Sequence, residues 1–505
     1  MSIARKILIN TGAQVLGKVV VAILGLAVVK ITTQYLSVEG YGEYVLIYEF
    51  LAFFGIAADL GLFTIAVREM SRDESQIPKI IGNILTLRTI LVTVMMILAI
   101  AVAFLIPSYS DTKIPIGVAI ASMTVFLGIL NGTTTSVLQA KLQMHIASMT
   151  TVISKIVAVG LMLYIIFWGF PDDNEMGFYM LIAAGNIGNF VMVITTDYYV
   201  RKITPLEFRF DWDFWKTILI KSTPYGLALI LNTIYFRIDS LLISFIRGQG
   251  EVGIYGVAMK MLEHFAILPL YFMNSVLPVL TKAIKEGTDK YKKIILHAFD
   301  FLAALSIPMV VGGVVLAYPI IFAVSTPAFL SRISEGFYGS DIAFQILIFA
   351  MMFQFSNVLF AFILIAVNRQ NKLLYINGVG VIFNIITNII FIPYYGFRGA
   401  AVTSVLSELI ILVLTYIAAK RYIEFSINLK NFFKIVVSAL IMGAVVYFSQ
   451  PFTYAYMQNW NIVVLVPMGA AIYAGMLIAT RVINKETLAL LKKGEETPHS
   501  GEPQI

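Results

Sequence analysis

The segment LNTIYFRIDSLLISF, Leu231–Phe245, is apolar except where Arg237 and Asp239 interrupt it two residues apart. The same interruption recurs along the chain. Lys18, Lys30, Arg88, Lys155, Lys221, Arg237 and Lys260 fall inside long apolar runs, and so do Glu49, Asp59, Asp239, Glu263 and Glu408. Asp197 and Asp300 lie nearer the ends of theirs. Cations in such places seat anions, arginine through a planar fork and lysine as a point charge. Carboxylates there carry protons or metal cations, or neutralise a neighbouring cation. Other chemistries lack their residues. The chain has no cysteine, which excludes thiolate catalysis, disulfides and cysteine-held metal centres. His145, His264, His297 and His499 show no metal-ligand spacing, and no GxxxxGK[ST] loop exists to hold a nucleotide. The GVG at Gly378–Gly380 lacks the third glycine of a dinucleotide fingerprint, and the NGT at Asn131 lies inside an apolar run, out of reach as a glycosylation site. No cofactor is therefore expected; H⁺ or Na⁺ as coupling ion, or the cargo's own gradient, would supply the energy.

The elements that must position these charges follow from composition. The chain has 505 residues, 59% of them hydrophobic and 13% charged, with a mean hydropathy of +0.86. An average soluble domain is about 25% charged. Apolar runs long enough to cross a ~30 Å hydrocarbon core recur throughout. The reading is an all-α polytopic membrane protein with about fourteen transmembrane helices, over 8–36, 44–67, 80–106, 115–138, 148–169, 177–200, 217–246, 252–281, 294–323, 342–367, 373–393, 399–419, 435–451 and 462–480. The first run follows Arg5 and Lys6 with no small-residue cleavage site, so it is expected to be a retained helix.

Lysine and arginine set the orientation. With the N-terminus inside, the loops and ends on that side hold 25 of the 36 cations, and the other side holds only Lys113, Arg247, Arg332 and Arg398. By the positive-inside rule both termini are cytoplasmic in a multi-pass protein of the cytoplasmic (inner) membrane. The net charge of +7 is then a membrane feature, and no nucleic-acid partner is expected. The end from Asn484 reads as a short interfacial helix followed by a disordered tail.

Seven cations facing lipid, at roughly 3 kcal/mol each, would cost on the order of 20 kcal/mol. Most folds have less net stability than that, about 5–15 kcal/mol. Lys155 and Lys221 lie within about two turns of a cytoplasmic end, where a long side chain can snorkel to water. The deeper Lys18, Arg237 and Lys260 should face protein or a wet cavity. The charges crowd into spans one, two, three, five, seven and eight, as a cavity lined by a few helices requires. Spacing agrees. Asn10, Gln14 and Lys18 share a face, as do Thr233, Arg237, Ser240 and Ser244, while Asp239 lies on another with Asn232 and Tyr235. Gly256, Lys260 and Glu263 form a third face, with His264 beside it. Counted from the loops, Arg237 and Lys260 share an outer depth, and Asp59 and Arg88 share an inner one that suits a gate. Pro224, Pro269, Pro278, Pro308 and Pro319 predict bends in spans seven to nine. A weak repeat relates SVEGYGEYVLIYEFL (Ser37–Leu51) to GQGEVGIYGVAMKML (Gly248–Leu262), matching Gly42 with Gly253 and Tyr44 with Tyr255 at an offset of 211, which puts Glu49 opposite Lys260.

The stretches YLSVEGYGEYVLIYEFLAFFGIAADLGL, FRIDSLLISF, VGIYGVAMKMLE, FAVSTPAFLSRISEGFYGSDIAFQILIFA and NIIFIPYYGFRGAAVTSVLSE, in this order, resemble the polysaccharide and O-antigen flippases of the multidrug/oligosaccharidyl-lipid/polysaccharide superfamily. The resemblance covers nearly the whole chain. It implies two six-helix lobes in a V around a central cavity, here residues 1–200 and 217–434 joined by the basic linker 201–216, then an extra helix pair over 435–481 and a tail over 482–505. It also implies that helices one, two, seven and eight line the cavity. The function implied is that of a secondary transporter, not an enzyme, which flips lipid-pyrophosphate-linked oligosaccharide by alternating access. Arg237 and Lys260, with Lys18, Lys30 and Arg88, are then the candidate substrate-binding residues, and Asp59, Asp239, Glu263 and Glu49 the coupling or gating ones. Asp239 would orient or neutralise a neighbouring cation. Tyr225, Tyr235 and Tyr255 offer faces for sugars, and the charge-free pair at 435–480 an apolar groove for a polyprenyl tail. Partners implied are the lipid-linked oligosaccharide, membrane lipids and polysaccharide-biosynthesis proteins, around a monomer. Three other readings stay open. They are a peptidoglycan-precursor flippase, an ion-coupled drug exporter using Asp59, Asp239 or Glu263, and a membrane sugar polymerase, against which the short outer loop 324–341 argues.

Overall fold

The computed structural model describes residues 3–482, with side chains from Gln14 onward except Val15; the tail beyond, and the side chain of Asn10, lie outside the described residues. The described part of the chain is almost wholly helical. In order the helices are α1 (Ile3–Tyr35), α2 (Val38–Asp59), α3 (Leu62–Arg72), α4 (Ile77–Leu105), α5 (Ile114–Ala140), α6 (Met144–Tyr164), α7 (Asn174–Val200), α8 (Trp212–Arg247), α9 (Gln249–Phe265), α10 (Ile267–Lys285), α11 (Lys290–Val315), α12 (Ala317–Val324), α13 (Ser340–Ala366), α14 (Asn371–Tyr395), α15 (Phe397–Lys420), α16 (Leu429–Met457) and α17 (Ile462–Ala479). Thirteen helical stretches among the described residues are long and apolar enough to cross a membrane. The last of them, Leu429–Ala479, is two helices, α16 and α17, so the fourteen expected crossings are all present in a multi-pass membrane protein.

Three crossings are split. The second breaks between α2 and α3, where Leu60 takes φ 45° and Gly61 φ 74°. The left-handed region is costly for a leucine and easy for a glycine. The break is held from outside. A Cβ on Gly61 would come 2.9 Å from the Cβ of Tyr225, and one on Gly226 would come 2.8 Å from the carbonyl oxygen of Leu60, so α8 passes directly over the kink. The other two breaks fall at Ala266, between α9 and α10, and at Leu316, between α11 and α12. Each lies three residues before a proline, Pro269 or Pro319, which then occupies the first turn of the new helix, where its missing N–H is no loss. Pro224, Pro278 and Pro308 sit inside helices that continue through them.

Two compact units emerge. One comprises Met1–His264, Val324–Ala343 and Asn377–Thr403, the other Phe265–Ala323, Phe344–Ile376 and the chain from Ser404. In the first, α6 packs on α1 and α7, α5 on α4 and α7, and α2 on α4, α5 and α8. In the second, α16 packs on α11 and α17, and an apolar cavity of about 310 Å³ is lined by residues of α11, α13, α15 and α16, among them Phe299, Phe360, Tyr416 and Phe432. Every candidate site residue falls in the first unit.

Candidate functional site

The site is built on α2, α8 and α9. Arg237 on α8 places Nη1 2.7 and 2.6 Å from the two carboxylate oxygens of Glu49 on α2, and 2.8 Å from Oε1 of Glu263 on α9. Lys260, one helical turn before Glu263, donates to Oε1 of Glu49 at 3.2 Å and to Oε2 of Glu263 at 3.0 Å. Two cations and two carboxylates thus form one closed, formally neutral cluster inside three membrane spans. Glu49 is its most buried member, with a side chain 6% exposed, while the other three are each about a quarter to a third exposed. A carboxylate left alone so deep would be far costlier than one holding two cations.

The way Arg237 is used matters. All its carboxylate contacts fall on Nη1, which leaves Nε and Nη2 outside the carboxylate cluster. Those two N–H groups are parallel and form the bidentate edge that matches a phosphate.

Why α2 can come close enough follows from its outer end. A Cβ on Gly42 would lie 2.9 Å from the amide nitrogen of Gly253, and one on Gly253 would lie 3.2 Å from the amide nitrogen of Gly42. Any side chain at either position would force α2 and α9 apart. The two glycines are the repeat-matched pair, and Glu49 and Lys260 match at the same offset of 211.

Asp239 is buried on a different face of α8. It accepts a hydrogen bond from the hydroxyl of Tyr255 at 2.8 Å and one from Nδ2 of Asn388 on α14 at 2.7 Å. Tyr255 is fully buried, so its ring is not available to a sugar, contrary to expectation; a buried carboxylate needs donors, and the tyrosine is one. Tyr225 remains exposed.

A second ion pair lies at the α2–α3 break. Asp59, the last residue of α2, pairs with Nη2 of Arg88 on α4, and Nη1 of Arg88 donates to the hydroxyl of Thr133 on α5 at 2.9 Å. A carboxylate at a helix C-terminus opposes the helix dipole, and the guanidinium offsets that. Arg88 is 3% exposed, and among the described residues its Nε has no partner. Of the other cations, Lys30 donates to the carbonyl oxygen of Ser325, Lys221 pairs with Glu69 at 3.2 Å, and Lys18 lies on an exposed part of α1. The structure therefore joins Arg237, Lys260, Glu49 and Glu263 in one cluster and Asp59 with Arg88 in another. Asn388 and Thr133 were not singled out in the sequence. Both are single polar residues in apolar helices, a signal too common to choose between.

Comparison with known proteins adds the following. A family model described as polysaccharide biosynthesis protein matches residues 7–284, and the MatE model matches residues 224–390. An uncharacterized membrane protein of Methanocaldococcus jannaschii is 30% identical over 241 residues, 45% of this chain and 43% of the relative. The Haloferax volcanii protein named "Probable flippase AglR" is 27% identical over 179 residues, 34% of this chain. The chain spans 43% and 35% of the length of these two curated relatives. Among solved structures, the lipid II flippase MurJ in an inward closed conformation superposes with a TM-score of 0.73 at 18% identity, covering 94% of this chain and 99% of the other. That likeness is one of fold.

Proposed function

The chain belongs to the polysaccharide biosynthesis protein family, within the multidrug/oligosaccharidyl-lipid/polysaccharide flippase superfamily, and from that premise we propose that it flips a polyprenyl-pyrophosphate-linked oligosaccharide, an O-antigen or other polysaccharide repeat unit, across the cytoplasmic membrane. The observation that carries this is the geometry of Arg237 beside Lys260: its Nη1 holds the glutamates, and its Nε–Nη2 edge lies outside those contacts. Without cargo, Glu49 and Glu263 keep both cations from standing unpaired in the membrane. A pyrophosphate entering from the inner leaflet takes the Nε–Nη2 edge of Arg237 and competes with the glutamates for Lys260. The cluster that ties α2 to α8 and α9 then loosens, and the site opens to the other side. Such a ligand shifts the equilibrium only because it binds one arrangement better than the other. The Asp59–Arg88 pair, nearer the cytoplasm, would close the path behind the cargo. Energy comes from the cargo gradient or from H⁺ or Na⁺.

The test is mass spectrometry of lipids after depletion of the protein. Accumulation of a polyprenyl-pyrophosphate oligosaccharide on the inner leaflet is the expected result, and its headgroup names the glycan. A peptidoglycan precursor accumulating instead would move the protein to that related task. An unchanged lipid profile would overturn the proposal. The match of the MatE model to residues 224–390 favours a second reading, an ion-coupled small-molecule exporter using Asp59, Asp239 or Glu263. Against it, Asp59 and Glu263 already have cationic partners in Arg88, Arg237 and Lys260, so a cationic cargo would have to displace them.

A further inference from the structure

Lys155 lies eleven residues into α6, half-buried. No carboxylate among the described residues pairs with it, and it sits within electrostatic reach of another cation, Lys260. The packing explains how the two meet. A Cβ on Gly17 of α1 would touch the Cβ of Ser148 at 3.0 Å, so α6 lies along α1 with Ser148 level with Gly17. Lys155 follows Ser148 by two turns on the same face. The first and fifth crossings, α1 and α6, run in the same sense, so Lys155 reaches the level of Leu24 and Gly25. There a Cβ on Gly25 would come 2.8 Å from Nε2 of His264. Nδ1 of His264 in turn donates to the carbonyl oxygen of Lys260 at 2.6 Å. Gly25, His264, Lys260 and Lys155 therefore share one depth.

The charges decide what this means. Arg237 and Lys260 are balanced by Glu49 and Glu263, and Lys155 adds one uncompensated positive charge. A snorkelling lysine would turn its ammonium away from a like charge and toward water. A cation kept in a span beside another cation marks a place for an anion.

We propose that Lys155 is a substrate-binding residue which, with Lys260, grips the phosphate groups of the cargo and supplies the net positive charge that the glutamate-balanced cluster lacks. This rests on the reading of the cargo as a lipid-linked pyrophosphate.

The experiment uses the full chain in nanodiscs, with farnesyl pyrophosphate as probe and farnesol as control. Wild type is expected to bind the pyrophosphate more tightly than the alcohol. Lys155→Gln and Lys155→Met should each weaken the pyrophosphate by about tenfold or more, the equivalent of one charge-assisted hydrogen bond. Lys155→Arg should stay within about threefold of wild type, because it keeps the charge. Farnesol binding should be unchanged in all three, which shows that the variants are folded. If wild type and both neutral variants bind the pyrophosphate equally, the role of Lys155 is overturned and the proposed function stands. If wild type does not distinguish pyrophosphate from alcohol, the anionic cargo is wrong and the role of Lys155 falls with it. Loss in Lys155→Arg equal to that in Lys155→Gln would also overturn the proposal, since geometry rather than charge would then be at issue.

Discussion

Glu49 and Lys260 stand 211 residues apart, at matching positions of the two copies of a weak internal repeat, and they form an ion pair with each other. Gly42 and Gly253, one matched pair nearer the helix ends, also meet. The glycines let the helices close, and the charges fasten them. A fastening made of ion pairs can be undone by a competing anion, whereas a purely apolar contact could not.

Gly42→Val should therefore prop α2 and α9 apart. Overpacking of this kind costs about 1–3 kcal/mol, enough to move an equilibrium between closed and open arrangements strongly. Spin labels at Val38→Cys and Gln249→Cys measure it, and the absence of native cysteine keeps the labelling clean. The distance between labels should lengthen in Gly42→Val; an unchanged distance would show that the glycine contact does not set the closure.

Asp59→Asn leaves Arg88 buried without its carboxylate, at a cost of roughly 3–5 kcal/mol for a broken buried pair. Transport should fall in Asp59→Asn and in Arg88→Gln, and the charge-swapped double variant should recover part of it. Full activity in both single variants would dispose of the gate.

Much of this was legible in the chain. The observed helices begin and end within a few residues of most of the apolar runs, because hydropathy and length dictate a crossing. The shared depths of Arg237 with Lys260 and of Asp59 with Arg88 followed from the rise per residue, and the structure pairs each set through carboxylates. What stayed hidden depends on contacts between helices. Leu60 and Gly61 break the second crossing without a proline, because α8 presses on the kink at Tyr225 and Gly226. The role of Glu49 as the shared partner of both cations, and of Tyr255 as a donor to Asp239, cannot be read from periodicity along one helix. The surroundings of Lys155 depend on a neighbour across α1, which no spacing along α6 reveals.

Topology is open to direct labelling. A single cysteine at Lys290→Cys should react only from the cytoplasmic side, and one at Ser331→Cys only from the outside. Outside labelling at position 290 would reverse the direction of transport proposed here.

Glu49→Gln removes the carboxylate that binds both cations. Anion binding should tighten, since the internal competitor is weakened, while turnover should drop, since the cargo has nothing to displace it. Farnesyl pyrophosphate affinity and transport rate, measured on the same preparation, separate the two effects. Weaker binding together with slower transport would make Glu49 a structural residue only.

Transport normalised to membrane abundance across an Arg237 series tests most directly whether the Nε–Nη2 edge of Arg237 seats the cargo. Arg237→Lys keeps the charge and loses the fork, so partial activity is expected. Arg237→Gln should lose most activity, and Arg237→Glu nearly all, with protein levels preserved in each. If Arg237→Glu moves cargo at the wild-type rate, the arginine only packs the helices together and the anion is held elsewhere.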